Sequence, residues 1–366
     1  MSRPVLIAAG GTGGHVFPAL AVAEQLLAAG VEVLWVGTAA GIESRLVPAA
    51  GIEFRNIKVS GFRGKSLLRR LLAPLQLLAA VVVVLRLTIS RRVACVFGTG
   101  GYVSAASGIA AVLSRKPLYL QEQNAVAGTT SRLLSPFAKR IFTAFPDVLG
   151  ASARVAQTGN PLREQFGQLP TPRARNLGHG TTCTLLVLGG SLGASKLNEV
   201  LPAAIAGLGA APGSFERLRT IHQSGVREQQ LVQQRYASLG IDAEVRDFID
   251  DMPEALQSAD LVIARAGALT VSEICAVGVA AIFVPYPHAI DDHQSANARW
   301  LQNCGAARLL PQAALTEQGL ADTMRALLED RAALLEMAER ARAQAKPQAA
   351  RAIANSILGR GDLSDA

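Results

Sequence analysis

A unit that recurs four times along the chain limits what it can fold into: a short β-branched apolar run, then glycines, then a helical pattern. It reads VLIAAGGTGGH near the start, then CVFGTGGYVS, LLVLGGSLGAS and LVIARAGALTVSE. Short apolar strands alternating with amphipathic helices predict parallel sheets covered by helices, an α/β architecture. The units fall into two series, one up to about residue 160 and one from about 182. Between them GNPLREQFGQLPTPRARNLGHGTT, rich in Pro, Gly and Arg, reads as an interdomain linker. With 366 residues, half of them hydrophobic and 17% charged, the chain has enough apolar material for two cores of ordinary size. From Leu327 to about Leu358 the pattern is helical, with Pro347 expected to break or kink it.

The glycines between strand and helix let the backbone turn tightly, and the helix start behind them offers N–H groups and a partial positive charge to an anion. The same glycines are needed at βα junctions for purely structural reasons. A dinucleotide dehydrogenase is the first rival. Its fingerprint needs a third glycine where Val16 stands, and a carboxylate at the end of the second strand, which here ends in Gly37 and Thr38. Both features speak against it.

His15 closes the first glycine cluster and reads either as a satisfied polar residue or as a general base near neutral pH. Ser191 reads as a phosphate contact or a helix cap. Thr270 and Glu273 have the T-x-x-E spacing of a capping box, while the same carboxylate could accept hydrogen bonds from a ribose diol. His288, Asp291, Asp292, His293 and Gln294 cluster in PYPHAIDDHQSANA, but their spacing matches no zinc pattern and suits a polar sugar-binding loop equally well. His179 and His222 carry no expected role. The net charge of +8 suits an anionic ligand or surface. Nucleic acid is not expected, because no basic stretch with interleaved aromatics accompanies that charge. Cys95, Cys183, Cys275 and Cys304 show no CxxC pairing and read as reduced thiols, and no signal-peptide pattern precedes the first strand, so a cytoplasmic location is expected.

One segment stands apart. From Leu71 to Leu85 the chain is apolar except for Gln76, with Arg69, Arg70, Arg86, Arg91 and Arg92 at its flanks. Fifteen helical residues reach roughly 22 Å, short of a hydrocarbon core of about 30 Å, which favours a crossover helix over a transmembrane span. Such a helix could also rest on an anionic membrane surface.

Taken together, GGTGGHVFPALAVAEQL, GTGGYVS, QEQNAVAG, GNPLR, GGSLGA, FIDDM, ALTVSE and DHQSANA resemble, in order and spacing, the bacterial N-acetylglucosaminyltransferases of peptidoglycan synthesis. The resemblance runs from about residue 4 to about 355. It implies a GT-B fold, two Rossmann-like domains with parallel sheets facing a central cleft. Residues 1–161, joined by a returning helix at 341–358, would face acceptor and membrane, and 162–340 would bind the donor. It implies inverting transfer of N-acetylglucosamine from UDP-N-acetylglucosamine to the 4-hydroxyl of lipid I, giving lipid II, with no resident cofactor or metal. His15 would be the general base, Glu122 the runner-up, and Tyr102 would position the acceptor. Thr12, Gly13, Gly14, Asn124 and Arg163 would meet the donor from the first domain and linker. Ser191 would meet the diphosphate and the Ile249 backbone the uracil. Ala268, Leu269, Thr270, Val271, Ser272 and Glu273 would line diphosphate and ribose, and Gln294 would face the sugar. The enzyme would sit peripherally on the cytoplasmic face of the inner membrane through residues 65–92, alongside other cell-wall synthesis proteins. Gln121 departs from the His common in the family, and Ala105-Ala106 from Gly-Pro. A UDP-N-acetylglucosamine 2-epimerase and a non-catalytic UDP-sugar-binding recruiter are the alternatives.

Overall fold

The computed structural model describes residues 3–59, 67–175, 181–189, 194–209 and 217–360, the side chains of 67–72 excepted. Ser191 and Lys65 lie outside the described residues, as do the side chains of Arg69 and Arg70. The chain divides into two compact units, Met1–Glu164 with Lys346–Ala366, and Gln165–Ala345.

The first unit carries strands β1 (Val5–Ala8), β2 (Val33–Gly37), β3 (Glu53–Asn56), β4 (Cys95–Gly98), β5 (Leu118–Glu122), β6 (Arg140–Thr143) and β7 (Val155–Gln157). Between them run helices α1 (Gly13–Ala28), α2 (Glu43–Ala49), α3 (Leu67–Ser90), α4 (Gly101–Leu113) and α5 (Thr129–Leu134). All pairings are parallel, in the order β3-β2-β1-β4-β5-β6-β7. The central strands are buried along their length because helices cover both faces, which is why VLIA and CVFG contain no polar side chain.

The second unit follows with β8 (Thr182–Leu188), β9 (Arg217–Gln223), β10 (Ala243–Arg246), β11 (Leu261–Ala264), β12 (Ala280–Phe283) and β13 (Ala307–Leu309). Its helices are α6 (Ser195–Ala206), α7 (Gln229–Ser238), α8 (Met252–Gln257), α9 (Ala268–Val277), α10 (His293–Asn303), α11 (Glu317–Leu328) and α12 (Arg331–Ala343). This sheet is also parallel, ordered β10-β9-β8-β11-β12-β13. The helical run expected from Leu327 to Leu358 is broken around Pro347 and also at Glu329-Asp330, where Asp330 caps α12, and its last piece, α13 (Ala349–Leu358), belongs to the first unit. There Ile353, Ala354 and Ile357 complete the core beneath α1.

Both sheets reverse direction between two central strands, β1 and β4 in one and β8 and β11 in the other. The four glycine-rich segments follow these four strands. In open parallel sheets such switch points open the crevice in which ligands bind, beyond the carboxyl ends of the strands.

The α3 segment departs from the sequence expectation in length. Its 24 residues span roughly 36 Å, so length does not exclude a membrane span. Packing identifies it as a crossover helix: Ala73, Ala80, Val81, Val84 and Thr88 are buried on one side, and α3 packs along α4. Leu75, Leu78, Val82, Val83 and Ile89 point outward. Arg91 is held by Glu53 at 2.8 Å and Glu32 at 2.9 Å, so it serves an ion-pair cluster rather than an open basic flank.

In the second core, His222 is fully buried between Tyr236 Oη at 3.0 Å and Asn198 Oδ1 at 3.1 Å. The Asn198 amide nitrogen donates to the Ser224 carbonyl and Glu228, so its oxygen faces His222, whose Nε2 carries the proton and whose Nδ1 accepts from the tyrosine. Burial pushes the His222 pKa down to about 3. Below an imidazole's ordinary pKa the unfolded chain therefore binds a proton that the native chain refuses, and stability is lost as pH falls from about 6.5 toward 3. Urea unfolding at pH 7, 6 and 5 should show the wild type losing about 2 kcal/mol more than His222→Gln between pH 7 and 5, most of it below pH 6. Equal losses would mean that His222 charges in the native state.

Candidate active site

In the first unit, Gly11 (φ +97°) turns the chain out of β1, and Thr12 precedes α1 in extended conformation without capping it through its hydroxyl. Gly13 and Gly14 form the first turn, leaving its backbone N–H groups to other acceptors. His15 follows, half-buried, with Nδ1 2.6 Å from the Thr99 carbonyl at the end of β4. A carbonyl only accepts, so Nδ1 carries the proton and Nε2 is the basic nitrogen. The Thr99 hydroxyl donates back to the His15 carbonyl at 3.2 Å. Gly100 (φ +96°) has no side chain for a reason: a Cβ there would stand 3.1 Å from His15 Cε1.

A buried amide network stands behind this pair. Gln123 Nε2 donates to the Thr99 carbonyl at 2.9 Å and to Gln121 Oε1 at 3.2 Å, and Gln121 donates to Asn160 Oδ1 at 3.0 Å. Asn160 returns to the Gln123 carbonyl at 3.2 Å. Gln121, in the position where the resemblance expected His, is thus one link in a chain that ties β4, β5 and the GNPLR segment together.

Glu122 does not fit the role of alternative base. It is buried, and its carboxylate accepts the backbone N–H of Asn124 at 3.1 Å and of Gly128 at 2.9 Å, with the Asn124 side chain at 3.4 Å. A carboxylate so occupied shapes the loop after β5. It thereby positions Asn124, which is half-buried. Tyr102 is half-buried in the first turn of α4. Arg163 lies with its guanidinium 5.9 Å from the ring of Phe17 on α1. Thr12 thus stands at the N-cap, and Gly13, Gly14, His15 and Tyr102 in the first turns, of the helices that follow the two central strands, with Asn124 on the loop leaving neighbouring β5.

In the second unit α9 begins at Ala268 with Gly267 as its N-cap, so Thr270 is not a cap and the T-x-x-E capping box does not form. Ala268 and Val271 are buried, whereas Leu269, Thr270, Ser272 and Glu273 are half-exposed in the first two turns. The Ser272 hydroxyl returns to the Ala268 carbonyl at 2.9 Å. Buried Asn297 of α10 donates to the Ala266 carbonyl at 3.1 Å, fixing the turn into α9, a support the sequence alone did not single out. Ile249 is buried in the loop before α8. Gln294 Oε1 accepts the Tyr286 N–H at 2.9 Å, which fixes its amide against the turn after β12. Arg265, whose pKa burial lowers, braces the same loop through the Val284 carbonyl at 2.9 Å and lies 5.6 Å from the Tyr286 ring. His293 Nδ1 faces the Ile290 carbonyl and Asp292 accepts from Ser295, so these two side chains serve their own turn. Among the described residues no group of three or more His, Cys, Asp or Glu could hold a metal ion.

Residues 5–143 match the glycosyltransferase family 28 N-terminal domain and residues 184–353 its C-terminal domain. A UDP-N-acetylglucosamine–N-acetylmuramyl-(pentapeptide) pyrophosphoryl-undecaprenol N-acetylglucosamine transferase of Stutzerimonas stutzeri is 49% identical, over 98% of this chain and 99% of its own. One of the same description from Burkholderia cenocepacia is 47% identical, over 95% and 93%. The crystal structure of Acinetobacter baumannii MurG superposes with a TM-score of 0.84 at 40% identity, covering 98% of this chain and 99% of that one. A UDP-GlcNAc 2-epimerase from Neisseria meningitidis shares the fold alone, at 12% identity and a TM-score of 0.68.

Proposed function

The chain belongs to the family of UDP-N-acetylglucosamine–N-acetylmuramyl-(pentapeptide) pyrophosphoryl-undecaprenol N-acetylglucosamine transferases, of GT-B fold, and from that premise we propose which of its residues carry the transfer. The enzyme moves N-acetylglucosamine from UDP-N-acetylglucosamine to lipid I, giving lipid II. In our reading the donor sugar is α-linked, the product β1→4, and one in-line displacement inverts the anomeric carbon. His15 removes the proton of the acceptor 4-hydroxyl while UDP leaves. The observation that carries this assignment is the Nδ1 contact with the Thr99 carbonyl, which leaves the basic nitrogen on Nε2 at the switch point of the first sheet. Tyr102 positions the acceptor.

The leaving diphosphate is balanced by backbone N–H groups and helix starts at Gly13-Gly14 and behind Ser191, with no metal required for that step. Thr12, Asn124 and Arg163 contribute from the first unit. The second unit reads the nucleotide: Ile249 through its backbone at the uracil, Ala268 to Glu273 at diphosphate and ribose, Gln294 at the sugar. Glu273 accepts from the ribose hydroxyls. The enzyme works peripherally at the cytoplasmic face of the inner membrane, resting on the apolar outer stripe of α3.

Purified enzyme with labelled UDP-N-acetylglucosamine and a lipid I analogue tests the scheme beside a donor-only control. Glu273→Ala should raise KM for the donor by roughly ten- to a hundredfold with a smaller change in kcat, the size of losing one charged hydrogen-bond pair. An unchanged KM would remove Glu273 from the ribose.

A further inference from the structure

We infer that Glu43 is a positioning residue for the transfer: its buried carboxylate sets where the first glycine loop, and with it His15, stands. This rests on the reading of His15 as the base. Glu43 opens α2, thirty-two positions beyond Gly11, and is 0% exposed. Oε2 accepts the Gly11 N–H at 3.0 Å, and Oε1 accepts the Thr38 N–H at 2.7 Å and the Thr38 hydroxyl at 2.8 Å. One carboxylate therefore ties the chain leaving β1 to the chain leaving β2.

Room for it is made by glycines on three segments. A Cβ on Gly10 would stand 2.5 Å from Oε1, one on Gly37 2.6 Å from Cγ, and one on Gly41 2.0 Å from Oε2. Contacts that short do not occur, so each of these positions excludes any side chain while Glu43 stays in place. Gly11 itself is exposed, at φ +97°, with nothing within 4 Å of where a Cβ would point. Side-chain packing does not hold this turn, and the bond from its amide to the carboxylate does. Hydrogen bonds to an ionised acceptor are about twice as strong as neutral ones and more directional, which suits an anchor. His15 is four residues further on, in the first turn of α1. A shift of about 1 Å at a reacting group can reduce turnover by about a hundredfold. In dinucleotide-binding sheets a carboxylate at this corner faces a ribose. Here the carboxylate comes from the following helix and faces the protein's own backbone.

Glu43→Gln tests the proposal, since it keeps size but turns an NH2 group toward donors. Expected are a fall in kcat of about ten- to a hundredfold, a smaller rise in the UDP dissociation constant because Gly13 and Gly14 move with the loop, and amide exchange at Gly11 faster by about tenfold or more. Gly41→Ala leaves Glu43 chemically intact but crowds Oε2, and should move kcat and Gly11 exchange in the same direction. The double variant should fall little below the worse single one, because both act on one contact. If Glu43→Gln leaves Gly11 exchange and kcat unchanged while His15→Ala abolishes turnover, the clamp is overturned and the base assignment stands. A lower melting temperature with full kcat per folded molecule overturns it equally, marking Glu43 as a folding peg. Undiminished turnover in His15→Ala sinks the base assignment instead, and Gly11 exchange still decides the clamp.

Discussion

His15→Ala lowers kcat for transfer to the lipid I analogue by about two to four orders of magnitude, the usual contribution of a positioned general base. UDP binding to the second unit should be unaffected. The sign of the pH dependence follows from the tautomer. Nδ1 is engaged with the Thr99 carbonyl, so only Nε2 can take the acceptor's proton, and only while the ring is neutral. Wild-type kcat therefore rises with pH as the ring loses its proton, and this limb disappears in the variant. A collapse of donor affinity with kcat preserved would move His15 from base to donor ligand. The buried links behind the pair make the effect specific: Gln123 holds the same carbonyl at 2.9 Å, so the ring meets an acceptor that is itself fixed.

The two-sheet architecture was legible because buried parallel strands must be written as apolar runs, and because βα junctions need glycine. VLIA, CVFG and LVIA are such runs, and each proved to be a central strand. His15 was legible for a related reason, since it ends a glycine cluster directly behind a strand. Glu43 was not. Nothing near it in sequence marks it: its partners Gly11 and Thr38 come together only when β1 pairs β2, and the glycines that clear its place are individually ordinary turn residues. Asn297 and Gln123 were hidden in the same way, because each bonds a backbone carbonyl more than twenty positions away. Local spacing also misled. Thr270 and Glu273 have capping-box spacing, yet Gly267 ends the extended chain three residues earlier and puts both inside the helix. Glu122 looked available as a base because sequence does not reveal that the loop it opens folds back onto its carboxylate. The length of α3 was underestimated because an apolar count runs only from Leu71 to Leu85, whereas helical backbone extends from Leu67 to Ser90.

Leu75→Asp with Leu78→Asp is expected to weaken binding to vesicles containing anionic lipid by about a hundredfold or more. Each leucine is about three-fifths exposed, at 63% and 60%, so the fold loses little when they change. Returning each to water would forfeit about 1.5–3 kcal/mol of apolar burial, and each new carboxylate adds repulsion from an anionic surface. Exposed apolar side chains are not confined to α3. Leu113 at the end of α4, Leu133 of α5 and Phe137 just beyond are likewise exposed, and α3, α4 and α5 cover the same face of the first sheet. That shared face also separates lying on the membrane from crossing it. To span, α3 would have to pull Ala80, Val81 and Val84 off the sheet core, breaking the unit that holds His15. Resting on the surface needs no such loss, since the outward stripe is already free of the core. Sedimentation with vesicles should therefore be reversed by alkaline carbonate, and transfer to a short-chain, water-soluble acceptor should survive the double substitution while transfer to bilayer-embedded lipid I falls. Unchanged sedimentation of the double variant would assign membrane binding to some other surface, and carbonate-resistant binding would favour a spanning helix.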